Sequence, residues 1–403
     1  MKILYINSLY SPLIEGGAEI SLKLIVEGMK SLGHEVVVLS LMPEKGMKKE
    51  LVDGVTVYRA GLQNGYWPYS KAKKNKLSRL AWHYRDQSND AMAQVVEEIL
   101  LAEKPDIVSC HNLAGWSAAV WNPIHQAGIP IVQVLHDLYL LCPNSNMFKN
   151  EQTCQTQCLS CKLLRSNHAD KSSQVSAVVG ISNSILQRFI EFGYFANASK
   201  NIIYNTRTIS NPAPKSARRA GQSMRFGYLG TLSKVKGMEW LIEQFKKLDF
   251  EASLSIAGKG DKVYENQLKE LAEGSNIEFV GYVNSTEFLA EMDVLIVPSL
   301  WEEPLGMVAI EALANHVPVI ANKRGGLQET VKDEINGLYC YDSEPDSLSA
   351  AMRQLYENPE QYNQFSQAAR ESVASILDAD RMIGEYEAVL KEALTKPKPE
   401  ISK

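Results

Sequence analysis

The chain has almost no excess of charge: 42 Lys and Arg stand against 47 Asp and Glu, a net of −5. No basic field dominates, which argues against a general nucleic-acid binder. It also lacks any apolar stretch approaching the ~20 residues that a membrane-spanning helix needs. The opening MKILYINSLYSP holds an apolar run too short for a signal peptide and reads as a first buried strand. A cytoplasmic protein is therefore expected. What is present is ordinary for a soluble globular protein, with 45% hydrophobic and 22% charged residues. At 403 residues, two domains or three are expected.

Short β-rich runs alternate with helical patterns over the first half. Strands are expected at 3–7, 35–39, 55–59, 106–110, 130–135, 177–180 and 201–204, with helices at 18–32 and 90–103 among them. Strands that are apolar throughout and alternate with helices indicate a parallel sheet covered on both faces. Residues 206–222 are polar, contain two prolines and lack periodicity, which marks a linker. The pattern then restarts, with strands expected at 225–229, 253–257, 276–280, 293–297, 317–321 and 337–341. The fold class is α/β: two doubly wound, Rossmann-like domains (1–205 and 223–378) facing a central cleft.

The most informative segment is 298–320, PSLWEEPLGMVAIEALANHVPVI. An apolar strand, DVLIV, runs into a short polar loop, and Pro304 suits the first position of the helix that follows. Glu303 stands at the mouth of that helix and Glu311 eight residues on, about 12 Å along the axis if all are helical. Between them the amides of Leu305, Gly306 and Met307 are expected to point out of the helix start, where unpaired donors and the macrodipole attract phosphate. Carboxylate, anion nest and second carboxylate match a sugar, a diphosphate and a ribose. Taken alone, either glutamate is more often a surface residue. Their place after a strand's carboxyl end, where open α/β sheets bind ligands, adds weight.

These residues resemble the donor motif of the family 4 retaining glycosyltransferases, matching it at Glu303, Gly306, Glu311 and Ala312. The resemblance covers nearly the whole chain and is strongest over 226–341. It implies the GT-B fold, with the closing helix (380–395) packing back on the first domain. It further implies transfer of a sugar from a UDP- or GDP-linked donor to a hydroxyl acceptor, with retained anomeric configuration. By the same resemblance Glu303 contacts the donor sugar and Glu311 the ribose. His136, ending the run IPIVQVLH, reaches the sugar near its reacting carbon. Gly16 and Gly17, in EGGAE, form the glycine loop that lets the diphosphate approach backbone amides. Lys236, in GYLGTLSKVKG, neutralises the diphosphate, whereas Thr231 stands where the family has an arginine, and Arg324 is a candidate to compensate. No cofactor is required for the chemistry in that reading. An epimerase acting on the donor alone and a non-catalytic nucleotide-sugar-binding subunit are the alternatives.

Two further features stand outside the motif set. Cys142, Cys154, Cys158 and Cys161 have knuckle-like spacing among turn residues, which suits a structural zinc site, with disulfides or free thiols as alternatives. The stretch 67–82, WPYSKAKKNKLSRLAW, interleaves aromatic residues with Lys and Arg and contains no acid. Such a stretch suits docking on the anionic inner leaflet of a membrane. It fits an enzyme whose acceptor is a lipid-linked or envelope polysaccharide intermediate.

Overall fold

A computed structural model describes residues 1–70 and 74–395, so Lys71, Lys73 and the tail from 396 lie outside the described residues. The chain divides into two compact units. The first comprises Met1–Met147, Gln155–Tyr204 and the segment from Asp380; the second comprises Phe148–Cys154 and Asn205–Ala379.

The first unit is built on an eight-stranded sheet. Its order from one edge is Ser199–Ile202, Ala177–Gly180, Ile131–Leu135, Ile107–Cys110, Lys2–Ile6, Glu35–Met42, Val55–Gly61 and Met47–Val52. Strands such as Ile107–Cys110 and Ile131–Leu135 are buried at every residue, which a parallel sheet requires. Met47–Val52 is the exception, pairing antiparallel with its neighbour. Its sequence, MKKELV, is mostly exposed and carries the charges that discourage further pairing at an edge. It has no apolar run, so the sequence did not announce it. The helix Ala379–Thr395 closes this unit. His34 bonds Glu387 at 2.8 Å, and the Gly28 backbone lies so close to Ile383 that a Cβ there would come within 2.4 Å of it.

The second unit holds a six-stranded, all-parallel sheet ordered Ile277–Gly281, Ala252–Ala257, Met224–Leu229, Val294–Val297, Val319–Asn322, Gly337–Cys340. Its core joins Phe226, Leu254, Val294, Ile296 and Ile320 to helix residues such as Leu241, Leu348, Met352 and Phe365. In chain order the strands run 3-2-1-4-5-6, so the winding direction reverses between Met224–Leu229 and Val294–Val297. Ligands of such sheets bind outside the carboxyl ends of the strands at that reversal. The loops leaving those two strands carry Lys236 and Glu303. In the first unit the same reversal falls between Lys2–Ile6 and Ile107–Cys110. The loop after the first holds Gly16 and Gly17, and His111 follows the second.

Candidate functional site

Glu303 is buried, and its Oε1 accepts from three donors: Lys236 Nζ at 2.5 Å, Ser299 Oγ at 2.6 Å and Trp301 Nε1 at 3.0 Å. Burial would raise its pKa. The charge and hydrogen bond of Lys236, with those of Ser299 and Trp301, outweigh that and hold the carboxyl below its usual range. Lys236 also lies over the Trp301 ring, 5.2 Å from its centroid. The backbone enforces this meeting. Lys236 lies in the one-turn helix Lys234–Lys236, whose Val235 carbonyl accepts from Leu300 N at 2.9 Å. Gly237 follows at φ +73°, and a Cβ there would lie 2.1 Å from the Pro298 carbonyl oxygen. Only glycine allows the two loops to approach so closely.

Pro304 does not open the helix, contrary to the expectation from sequence. Gly306, at φ 80°, is the residue before the first turn, and the helix is Met307–Ala314. A residue with φ near +80° cannot lie within an α-helix, so the start falls three residues later than Pro304. Glu311 is then the fifth helical residue. No side chain caps this start, and among the described residues no backbone acceptor takes the Leu305, Gly306 or Met307 amide. The loop is braced by Gly325 and Gly326. Gly326 N donates to the Glu303 carbonyl at 2.7 Å, and a Cβ on Gly326 would come 2.5 Å from the Pro304 carbonyl oxygen and 2.6 Å from Leu305 Cα.

Glu311 is mostly buried, and burial raises its pKa against the opposing charge of Arg207, whose Nε is 4.0 Å from Oε1. Sequence reasoning missed Arg207, which lay near the start of the expected linker 206–222. Arg324 is engaged by both oxygens of Asp342, at 2.7 and 3.0 Å, so it is tied down beside the site. Thr231 is exposed, and its carbonyl accepts from the Tyr228 hydroxyl at 2.8 Å. A small hairpin, Phe148–Lys149 with Gln152–Thr153, belongs to this unit although it lies within the cysteine-bearing insertion. Thr153 Oγ1 donates to the Leu300 carbonyl at 3.2 Å, and Glu151 pairs with Lys234 at 3.6 Å, so the hairpin rests on the loops that position Lys236 and Glu303.

In the first unit the helix start after Lys2–Ile6 is arranged differently. Gly16 precedes the helix Gly17–Ser31, and its N–H donates to Glu19 Oε2 at 2.8 Å. Glu19 is itself buried, which raises its pKa, while backbone N–H groups lower it. The Gly16 amide expected to meet a diphosphate is thus occupied by the protein's own carboxylate. His136 lies at the lip of the sheet, its Nε2 2.9 Å from Nδ1 of His111, with the rings stacked. Burial, and then the neighbouring His136, push the His111 pKa well down, so His111 is neutral. His111 Nε2 in turn meets Ser109 Oγ at 3.1 Å.

No disulfide joins any of the six cysteines, all of which lie among the described residues. Cys158 Sγ is 3.5 Å from Cys161 Sγ, and a hydrogen bond with Cys161 lowers the Cys142 thiol to about 6 against the effect of burial. Cys154 belongs to the second unit's hairpin. Among the described residues no group of three or more His, Cys, Asp or Glu side chains is arranged to hold a metal ion. The zinc reading therefore stands on spacing alone.

Comparison with known proteins agrees with this architecture. Residues 15–206 match the domain described as Glycosyltransferase Family 4, and residues 212–372 match Glycosyl transferases group 1. An uncharacterized 42.6 kDa protein in a cps region of Klebsiella pneumoniae is 33% identical over 329 residues, 82% of this chain and 87% of that one. Among solved structures, sucrose-phosphate synthase from Thermosynechococcus elongatus superposes with a TM-score of 0.76 at 18% identity, covering 97% of this chain and 98% of that one. Anabaena Alr3699/HepE in complex with UDP-glucose gives 0.70 at 19% identity, covering 97% and 100%. Two α/β sheets, one parallel apart from an edge strand and one parallel throughout, and both matched domains lead to one conclusion. The chain is a glycosyltransferase of the GT-B fold, belonging to the family that joins a family 4 amino-terminal domain to a group 1 carboxy-terminal domain.

Proposed function

We propose that this glycosyltransferase takes its sugar from a UDP- or GDP-linked donor held by the second unit and passes it, with retained anomeric configuration, to a hydroxyl of a lipid-linked or envelope polysaccharide intermediate. The observation that carries the donor reading is the uncapped start of Met307–Ala314, with Glu303 held on one side by Lys236 and Glu311 inside the helix on the other. In this reading the amides of Leu305, Gly306 and Met307 receive the diphosphate. Glu303, kept ionised, accepts hydrogen bonds from the sugar hydroxyls. Glu311 accepts from the ribose. Lys236, at hydrogen-bond distance from Glu303, stands ready to meet the charge that develops on the departing diphosphate. His136 supports the reacting face of the sugar from the first unit, its ring fixed by neutral His111. Protein groups, rather than a metal, neutralise the leaving group.

The complex of the Anabaena protein with UDP-glucose supports a nucleotide-sugar donor. The cps-region placement of the Klebsiella relative supports a polysaccharide product. A thermal-shift panel of nucleotide sugars tests the donor. The correct one, at 100 times its dissociation constant, adds about 2.7 kcal/mol of stability, and Glu311→Ala loses that shift. A panel in which no nucleotide sugar stabilises the wild type overturns the reading. The anomeric configuration of the product, read by proton NMR, tests retention.

A further inference from the structure

The helix Lys76–Arg85 is turned the wrong way for a soluble protein. Of its ten residues only Trp82 is buried, its indole N–H donating to the Tyr66 carbonyl at 3.1 Å. Its large apolar residues face outward instead: Leu77 is 79% exposed, Leu80 55% and Tyr84 69%. With exposed Ala81 they fall within roughly 100° of arc at helical spacing, on the far side from Trp82. Polar residues normally occupy that face. The helix carries no acidic residue, and Lys76, Arg79 and Arg85 are exposed along it. Lys74, just before it, lies over the Tyr66 ring at 5.5 Å. Asn75 caps the start by accepting from Ser78 N at 2.8 Å, so the helix is a formed element and not a frayed loop.

We infer that this helix is a docking element for an anionic lipid surface, with Leu77, Leu80 and Tyr84 entering the headgroup boundary and Lys74, Lys76, Arg79 and Arg85 meeting the lipid charge. Charge complementarity selects this occupant. A second copy presenting the same face would set like charges against each other. A stripe one helix wide is small for a stable protein interface, which takes roughly 800 Å² from each partner. It suits a helix lying in the interface plane with one apolar face immersed. A short helix of the same unit, Leu159–Leu164, also exposes Leu159 and Leu163, and the Arg165 that follows it pairs with Asp86 at 3.6 Å, just past Arg85. The inference does not depend on the donor site.

The test is co-sedimentation of the full chain with vesicles of phosphatidylcholine alone or mixed with phosphatidylglycerol, at low and high salt. Wild type partitions onto the mixed vesicles at least about tenfold better than onto neutral ones at low salt, and loses that preference at high salt. The triple variant L77S/L80S/Y84S loses at least about tenfold of the binding to mixed vesicles, with an unchanged circular dichroism spectrum and melting temperature. Leu51→Ser, an equally exposed leucine on the edge strand, binds as wild type does. Equal pelleting of wild type and triple variant overturns the proposal, as does indifference to lipid charge. So does a dimer in sedimentation velocity that dissolves in the triple variant, since that assigns the stripe to a second copy.

Discussion

The first unit has eight strands with an antiparallel edge and the second six parallel ones, and the helix starts after Lys2–Ile6 and Val294–Val297 are finished in opposite ways. In the first unit, Gly17–Ser31 is closed from within: Glu19, on the third helical residue, folds back to accept from Gly16. In the second, Met307–Ala314 has Ala309 at that third position, so no carboxylate can return, and after the left-handed Gly306 no side chain caps the start. In the proposed reading both helix starts are candidate anion seats; Glu19 takes an amide of the first, and no side chain caps the second. Charge follows the same division. Around Glu303 a full ion pair survives burial, whereas the strand-end histidine pair of the first unit rests on a neutral His111.

Breaking the ion pair gives the largest effect. Glu303→Ala leaves Lys236, Ser299 and Trp301 donors without their acceptor, and about 3 kcal/mol of stability is lost, at the low end for a broken buried pair because Lys236 is partly exposed. Urea unfolding measures it, and the thermal shift from a nucleotide sugar disappears as well. The loss also depends on pH. Because the folded pKa of Glu303 lies below its unfolded value, its contribution is full above about pH 4.3 and fades as pH falls through the folded value. The difference between wild type and variant shrinks in acid.

The first unit reverses that sign. Burial raises Asp86 to about 6, overcoming Arg165 and the hydrogen bonds from Tyr139, Gly115 and Asn64. The folded state therefore binds a proton that the unfolded chain releases near pH 4, and stability falls as pH rises from about 4 to 6. Relative to Asp86→Asn, the wild type loses about 2–3 kcal/mol across that window and nothing further above it. Denaturant titrations at a series of pH values read the slope.

Packing at the second unit's seat comes next. Gly326→Ala forces a Cβ against the Pro304 and Leu305 backbone, which no rotamer change relieves. It costs about 2 kcal/mol and weakens donor binding by displacing the amides. The smallest effect is Glu19→Ala, about 1 kcal/mol from loss of the cap, with donor affinity in the thermal-shift assay unchanged. A large loss of donor affinity in Glu19→Ala would erase the distinction between the two seats.

Much of this was legible in the sequence because buried parallel strands are apolar at every position, and such runs cannot be disguised. Met47–Val52 escaped because an exposed edge strand needs only one neighbour and no apolar face. Two sequence motifs assigned Lys236 and Glu303 separate roles at one donor site, but not the ion pair that joins them. Its backbone cause, Gly237 against Pro298, is a contact between distant residues that no local pattern encodes. Pro304 misled because its ring favours a helix start, yet Gly306 two residues on is left-handed, and a Cβ there would come 2.4 Å from Leu327 Cδ2. Arg207 was hidden by its polar, proline-rich surroundings. Its pairing with Glu311 joins residues far apart in the sequence, a tertiary event. The outward stripe of Lys76–Arg85 was half visible as basic and aromatic composition. Which face it presents required the position of Trp82.

The most direct test is a crystal structure of the protein with a nucleotide sugar that stabilises it. The account predicts diphosphate oxygens within hydrogen-bond distance of the Gly306 and Met307 amides, the ribose on Glu311 and the sugar on Glu303. A nucleotide seated instead on the Gly16 turn of the first unit, with the Met307 helix start left bare, would contradict it.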